Sequence, residues 1–407
     1  MKSLDTDIIF ENFEAALAFV LEKEQEALAA DPMRQNMPAI FSPRDSSHPP
    51  LKLFPDIAYW NRAGERDFLL NRLRSGRYSL KPNLRNKKFL FRGQTAFYDN
   101  CTPSLYRKTK QRYTADLIHG QEMMLLTLSH PMVRLLDSKI NLLGYDFTFE
   151  MNLYGLNQHY YNKTSLLDLS SDAEVAGFFA TNEYHSNTDT YTPIVDEDKV
   201  GALYYYDVDS NNGFCYGLST IGLQVFPRSG CQSGFLLEVP MGVNFNDIKR
   251  VKWVMFKHKA SVSEHYHQLF VGGKKLFPDD ILEQHWKSRN ASIISDRTVL
   301  LNMIMNEYKE TKSKVMRDLS EGGLSIRKYP VTFSPEELHQ YYEDIKNGFW
   351  EEWCSRIYFN GDANDVFKNA LISVVNDPQY AWAFEEGKND NMPTDGFLSS
   401  RYADCLS

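Results

Sequence analysis

The sequence predicts an α+β protein, a strand-rich central domain flanked by helix-patterned ends. Three observations predict it. Short β-patterned runs bounded by turn residues fall between residues 88 and 256, interleaved with helical patterns. Helical spacing dominates before residue 31 and after residue 290. An apolar fraction of 43%, with 26 Phe and 23 Tyr, supplies a large core. At 407 residues the chain exceeds one small core. The expected organisation is an N-terminal helical region and linker over residues 1–78, a central domain over 79–289, and a mainly helical region over 290–407.

In residues 6–30 apolar side chains recur at helical spacing (Ile9, Phe13, Ala16, Leu17, Val20, Leu21), with Asp5 or Thr6 as N-cap and Asp31-Pro32 as a stop. Residues 33–55, rich in Pro, Ser and Asn, read as a linker or surface loop that separates this helix from the central domain. Lys88-Phe89-Leu90-Phe91 reads as a strand leading into Arg92-Gly93-Gln94. Helical patterns follow at 116–129, 152–162 and 174–180, the last with Asp172 as N-cap. Residues 186–198 are polar and turn-rich, so they read as a loop. Strand-like runs at 201–208, 223–226, 235–239 and 249–256 make the second half of the domain mostly β. Helical patterning returns at 299–307 and 335–347, and the final twenty residues are polar with turn signals.

The 45 basic and 53 acidic side chains give a net charge of -8 with no long basic run, so the usual footprint of a duplex-binding protein is missing. A small basic pocket for one nucleotide is still allowed. Arg85-Asn86-Lys87-Lys88 is the densest basic cluster, and its bland reading is a solvated strand flank. No apolar run approaches ~20 residues, so no membrane segment is expected. The five scattered cysteines lack CxxC spacing and suit reduced thiols in a cytoplasm. Glu264-His265-Tyr266-His267, with His258 upstream, looks like a metal cluster only superficially, because His265 and His267 point to different faces of a helix. No metal is predicted. Gly272-Gly273-Lys274-Lys275 lacks the upstream glycine of a phosphate-binding loop and reads as a turn.

Phe91-Arg92-Gly93-Gln94, followed by Thr102-Pro103-Ser104-Leu105-Tyr106-Arg107, resembles the opening of the FRG family, named for its aromatic-Arg-Gly triplet. The segment from Gln158-His159-Tyr160 through Leu167-Asp168 to Ser170 resembles that family's "QHYGLPTRLLDWT", and Val175-Ala176-Gly177-Phe178-Phe179-Ala180 its "AL-F-A" helix. Arg228 with Gln232-Ser233-Gly234-Phe235 resembles a later Arg, then Gln-x-Gly-x-Phe, element, and Leu276-Phe277-Pro278-Asp279 the closing "LFPD". The resemblance makes the central domain, 79–289, an FRG domain. Where the family shows Gly-Leu-Pro-Thr-Arg this chain has Tyr161-Asn162-Lys163-Thr164-Ser165, and Leu169 replaces a Trp.

The strand-Arg-Gly layout is also similar to that of mono-ADP-ribosyltransferases, which implies an ADP-ribosyltransferase-like split β-sheet core with NAD as substrate. That likeness assigns catalytic roles to Arg92, His159, Asp168 and Gln232, and ligand contacts to Arg92, Gly93, Gln94, Arg107, Tyr160, Thr164 and Ser165. It departs at one point: Gln232-Ser233-Gly234 places glycine where a Gln/Glu-x-Glu carboxylate is expected, leaving Glu238, Asp168 and Glu122 as candidate acids. Read physically, Arg92 either grips phosphate bidentately or pairs structurally with Asp168. His159 is either a general base or a satisfied core histidine. Asp168, after an apolar run, needs a partner among Arg92, Arg107 and His159. Gln232 reads a base edge or amide, or ties a sheet edge. The resemblance implies an NAD-dependent ADP-ribosyltransferase or NAD-cleaving effector in a bacterial conflict setting, phage defence or a toxin system, with a protein or nucleic-acid acceptor. The alternative is a catalytically inert sensor that binds a nucleotide or a partner. Whether the chain is an enzyme stays open at this point.

Overall fold

The computed structural model describes residues 8–30, 68–72, 78–82, 87–107, 110–137, 140–142, 145–147, 151–160, 162–208, 218–221, 225–346 and 357–358. Its main sheet has seven strands: β1 (Ile9–Phe10), β2 (Phe89–Gln94), β3 (Leu166–Ser170), β4 (Val200–Asp207), β5 (Leu218–Thr220), β6 (Gly234–Glu238) and β7 (Val251–Lys257). The helices are α1 (Phe13–Ala29), α2 (Lys110–Ser129), α3 (Pro131–Asp137), α4 (Leu153–His159), α5 (Ala173–Thr181), α6 (Arg228–Cys231), α7 (Ala260–Leu269), α8 (Ile281–Ser288), α9 (Asp296–Met305), α10 (Lys312–Glu321) and α11 (Pro335–Lys346). The fold is mixed α and β.

Strand order across the sheet is β1-β7-β4-β2-β3-β6-β5. Neighbours run antiparallel, except for the parallel pair β1 and β7. Side chains alternate across it. Ala202, Tyr204 and Tyr206 of β4 join a core with α2, α3 and α4, whereas Leu203 and Tyr205 join a second core with α1, α5 and α7. At the centre, β2 and β3 share one bridge, Phe91 opposite Ser170. Beyond it a guanidinium replaces the ladder: Arg92 Nη1 donates to the Asp168 carbonyl at 2.9 Å.

Several elements begin where local chemistry dictates. Asp172 caps α5 through the Glu174 amide at 2.8 Å, as its sequence position predicts. The N-terminal helix starts later than expected, at Phe13 under an Asn12 cap, because Ile9 and Phe10 pair as a strand with Met255 and Phe256. That helix is no separate addition. Phe13, Ala16 and Val20 are buried in the second core, and at the other end Leu301, Phe333, Leu338 and Tyr341 belong to the first. Packing therefore crosses the boundaries expected at 78/79 and 289/290. Residues 223 and 224 of the expected 223–226 strand lie outside the described residues, while Val225 and Phe226 are buried on the approach to α6 and the sheet's edge strand is β5. The polar 186–198 stretch begins at the turn of a hairpin, Asn182–His185 with Thr190–Pro193. The proposed linker at 33–55 and the polar last twenty residues lie outside the described residues. Among those described, no helix is long and apolar enough to cross a membrane.

Candidate functional site

Arg92 stands near the end of β2, where Gly93 allows α5 to approach the strand. A Cβ on Gly93 would lie 1.9 Å from the Ala176 carbonyl oxygen and 2.7 Å from the Ala180 Cβ, so any side chain there would push α5 away. β2, β3 and α5 together border a cleft of about 590 Å³, within the size range of small-ligand sites. Arg92, Gly93, Gln94, Arg107, Gln158, His159, Asp168 and Gln232 all line it.

His159, the last residue of α4, is buried, hydrogen-bonded at Nδ1 and faced by a carboxylate at Nε2. The Leu276 carbonyl can only accept, so it takes the Gln232 amide NH2 at 3.0 Å and leaves Gln232 Oε1 to accept from His159 Nδ1 at 2.9 Å. Nε2 then faces Asp168 Oδ1 at 3.6 Å. The other carboxylate oxygen accepts from Gln158 Nε2 at 2.7 Å, and Gln158 is itself fixed by the Thr164 hydroxyl. An imidazole between two acceptors completes its bonds only when it is charged. Burial opposes this and pushes its pKa below 6.5, against the raising effect of Asp168 and Gln232. The net direction is downward, so burial favours the neutral ring, with its proton on Nδ1 toward Gln232 and Nε2 left able to accept one.

Four buried polar atoms on cleft residues have no hydrogen-bond partner among the described residues: Arg92 Nε, Gln94 Oε1, His159 Nε2 and Asp168 Oδ1. Native interiors satisfy nearly all such atoms, so four in one cleft mark a place prepared for polar contacts. The cationic part adds Arg107, whose pKa is lowered by partial burial and then by the Arg92 charge. The opposite chemistry is aromatic. Tyr191 stacks on Phe277 with centroids 5.3 Å apart, Tyr184 lies 5.0 Å from Tyr191, and Phe179 completes the panel.

Three expected ligand contacts do not line the cleft. Tyr160 is fully buried, and its hydroxyl donates to Asp280 Oδ2 at 2.6 Å. The Thr164 hydroxyl donates to Gln158, and Ser165 pairs with the Tyr154 hydroxyl at 3.2 Å. All three sit behind the wall as supports. Of the candidate acids, Asp168 alone lines the cleft: Glu238 is exposed at the end of β6, and Glu122 accepts from Tyr329 and the Ser295 amide. Gly234 has its own reason to be glycine, because a Cβ there would lie 2.9 Å from His159 Cε1. The imidazole occupies the space where the expected carboxylate would start. His267 of the suspected metal cluster pairs with Asn182 Oδ1 at 2.9 Å, and His258 with the Thr95 carbonyl at 2.9 Å.

Sequence reasoning quoted Arg228 but gave it no task. It is fully buried: Nη2 lies 2.6 Å from Glu283 of α8, Nη1 donates to the His159 carbonyl at 3.0 Å, and its guanidinium rests on the Tyr160 and Phe277 rings. From Glu283 the ionic chain continues to Lys287 at 2.7 Å, then to Asp189, whose other oxygen accepts from Tyr184 at 2.7 Å. A strap of charges thus runs from the backbone of His159 to the aromatic rim. Its only sequence signal was an arginine and an acid on separate helices, which periodicity reads as surface charge.

No curated protein and no solved structure matches the chain. Residues 87–189 match the family model described as the FRG domain, and they carry Arg92, Arg107, His159, Asp168 and the first strand of the aromatic hairpin, so the cleft is built chiefly from an FRG domain within this chain.

Proposed function

We propose that the cleft binds NAD and cleaves its N-glycosidic bond, passing ADP-ribose to water or to an acceptor. One observation carries this reading: a single cleft joins two neighbouring arginines, an aromatic panel and the buried His159 facing the half-buried Asp168. Two guanidiniums side by side repel each other unless an anion lies between them, and a pyrophosphate bridges them with bidentate bonds. A nucleobase finds a stacking face on Tyr191 or Tyr184. The arginine at a strand end, the parted β2 and β3, and α5 behind them support an ADP-ribosyltransferase-like core.

In this reading the bond from ribose C1′ to nicotinamide breaks, and its electron pair leaves with nicotinamide. The Asp168 carboxylate, 37% exposed, stabilises the oxocarbenium that develops. The incoming hydroxyl gives its proton to the His159-Asp168 pair as its oxygen bonds to C1′. Consumption of NAD or modification of an acceptor fits a cytoplasmic effector of phage defence or a toxin system. A second reading, nucleotide binding without turnover, draws on Gly234, where a transferase carboxylate is absent.

Nicotinamide release from NAD tests both. The wild type is expected to release it, Arg92→Ala to bind NAD more weakly, and Asp168→Asn to bind but turn over about a hundredfold more slowly. No release together with no thermal stabilisation by NAD sinks both readings, whereas stabilisation without release leaves the second.

A further inference from the structure

A second cleft of about 490 Å³ adjoins the first, with Tyr184 lining both. Arg289 lies flat on the buried Trp286 indole, its guanidinium carbon 3.5 Å from the ring centroid, and its Nε has no hydrogen-bond partner among the described residues. Such a guanidinium offers its outer face to a planar ring. Lys163 holds Asp116 at 3.1 Å, and Lys287 holds both Asp189 and Glu283, so these two ammonium groups enter the lining already ion-paired, beside the stacked Arg289. His119 is pushed by burial to a pKa of about 4, so it is neutral, and its Nδ1 also lacks a partner among the described residues. A neutral imidazole can both donate and accept, as reading a base edge requires. Asn162 and Lys163 stand where the FRG segment has Leu-Pro, so this polar lining belongs to the chain itself.

We propose that the second cleft binds the phosphate-bearing end of a single-stranded nucleic acid, which serves as acceptor for the ADP-ribose released in the first. The proposal rests on the transferase reading for the acceptor role, though not for binding. A stacking guanidinium, two ammonium groups and a neutral imidazole match a base with its phosphate, and the volume suits about one nucleotide. The net charge of -8 repels a long phosphate backbone, so a terminus is engaged rather than a duplex. In the transfer, an oxygen of the terminal phosphate bonds to ribose C1′, nicotinamide leaves with its electron pair, and any proton on that phosphate oxygen passes to the His159-Asp168 pair.

Fluorescence anisotropy with a labelled, 5′-phosphorylated oligodeoxynucleotide of about six residues tests this, with thermal stabilisation by NAD as a separate readout of the first cleft. Wild type is expected to bind at low salt, Arg289→Ala to lose affinity about tenfold, and Arg92→Ala to keep it. Lys163→Gln is the milder variant and carries the test if Arg289→Ala lowers the melting temperature; a severalfold loss is expected. Absent binding by wild type, unchanged binding by both cleft variants, or equal competition by an acidic peptide would overturn the proposal. Failure of NAD to stabilise a protein that still binds the oligonucleotide would count against the transferase reading instead.

Discussion

His159 divides two regions that each hold one key arginine and treat it in opposite ways. On the cleft side, Arg92 donates one bond, to the Asp168 carbonyl, and its buried Nε has no partner among the described residues. On the sealed side, Arg228 is engaged by the Glu283 carboxylate, the His159 carbonyl and two aromatic faces. A cation whose partners are all protein groups holds the fold, whereas one with a donor to spare, facing a cavity, is available to a ligand. The imidazole is touched by both regimes: its backbone is held from the sealed side while its ring faces the cleft.

The contrast is most easily broken at Arg228. Arg228→Ala leaves Glu283 buried without its main cation, so a loss of about 3–5 kcal/mol in chemical denaturation is expected. Combining Arg228→Met with Glu283→Leu should recover much of it, because the pair is then removed together. A smaller loss in the single variant would mean that the sealed side is not what holds His159.

Next in size is Asp280, which accepts from Tyr160 and caps α8. Burial raises its carboxyl from 3.8 to about 6. Between about pH 4 and about pH 6 the folded protein keeps a proton that the unfolded chain releases, so this group's contribution to stability falls as pH rises, by at most ~3 kcal/mol. Denaturation of wild type and Asp280→Asn across that interval should show their difference changing with pH, and parallel curves would refute the assignment.

Arg92→Ala should cost stability no more than about 1.5 kcal/mol, the loss of one hydrogen bond, while weakening NAD binding tenfold or more by calorimetry. Unfolding of this variant would move Arg92 into the same class as Arg228. The smallest effect belongs to Lys287→Ala at the outer end of the strap. That side chain is 44% exposed, so a loss under about 1 kcal/mol, shrinking as salt is added, is expected from thermal melts at two ionic strengths.

What the amino-acid order determined by itself was local. Phe89 to Gln94 read as strand because apolar residues precede a glycine that only close packing requires, and Asp172 announced α5 because a cap acts within one turn. Cleft residues drawn from the ordered motifs, Arg92, Gly93, Gln94, Arg107, His159, Asp168 and Gln232, were legible as a group. Which neighbours they meet was not. Tyr160 and Thr164 lie beside His159 and Asp168 in sequence, yet they face a helix cap and a supporting glutamine, because adjacent residues on a helix end or strand point to different sides. Only the tertiary fold brought Leu276 to Gln232, Gln232 to His159, and Glu283 to Arg228, contacts separated by 44, 73 and 55 residues. Such pairings leave no periodic trace, since hydrogen bonds and ion pairs depend on where chain segments converge in space rather than on spacing along the chain. The ring of His159 is a base candidate for that reason, and Gly234 is glycine because the ring is there.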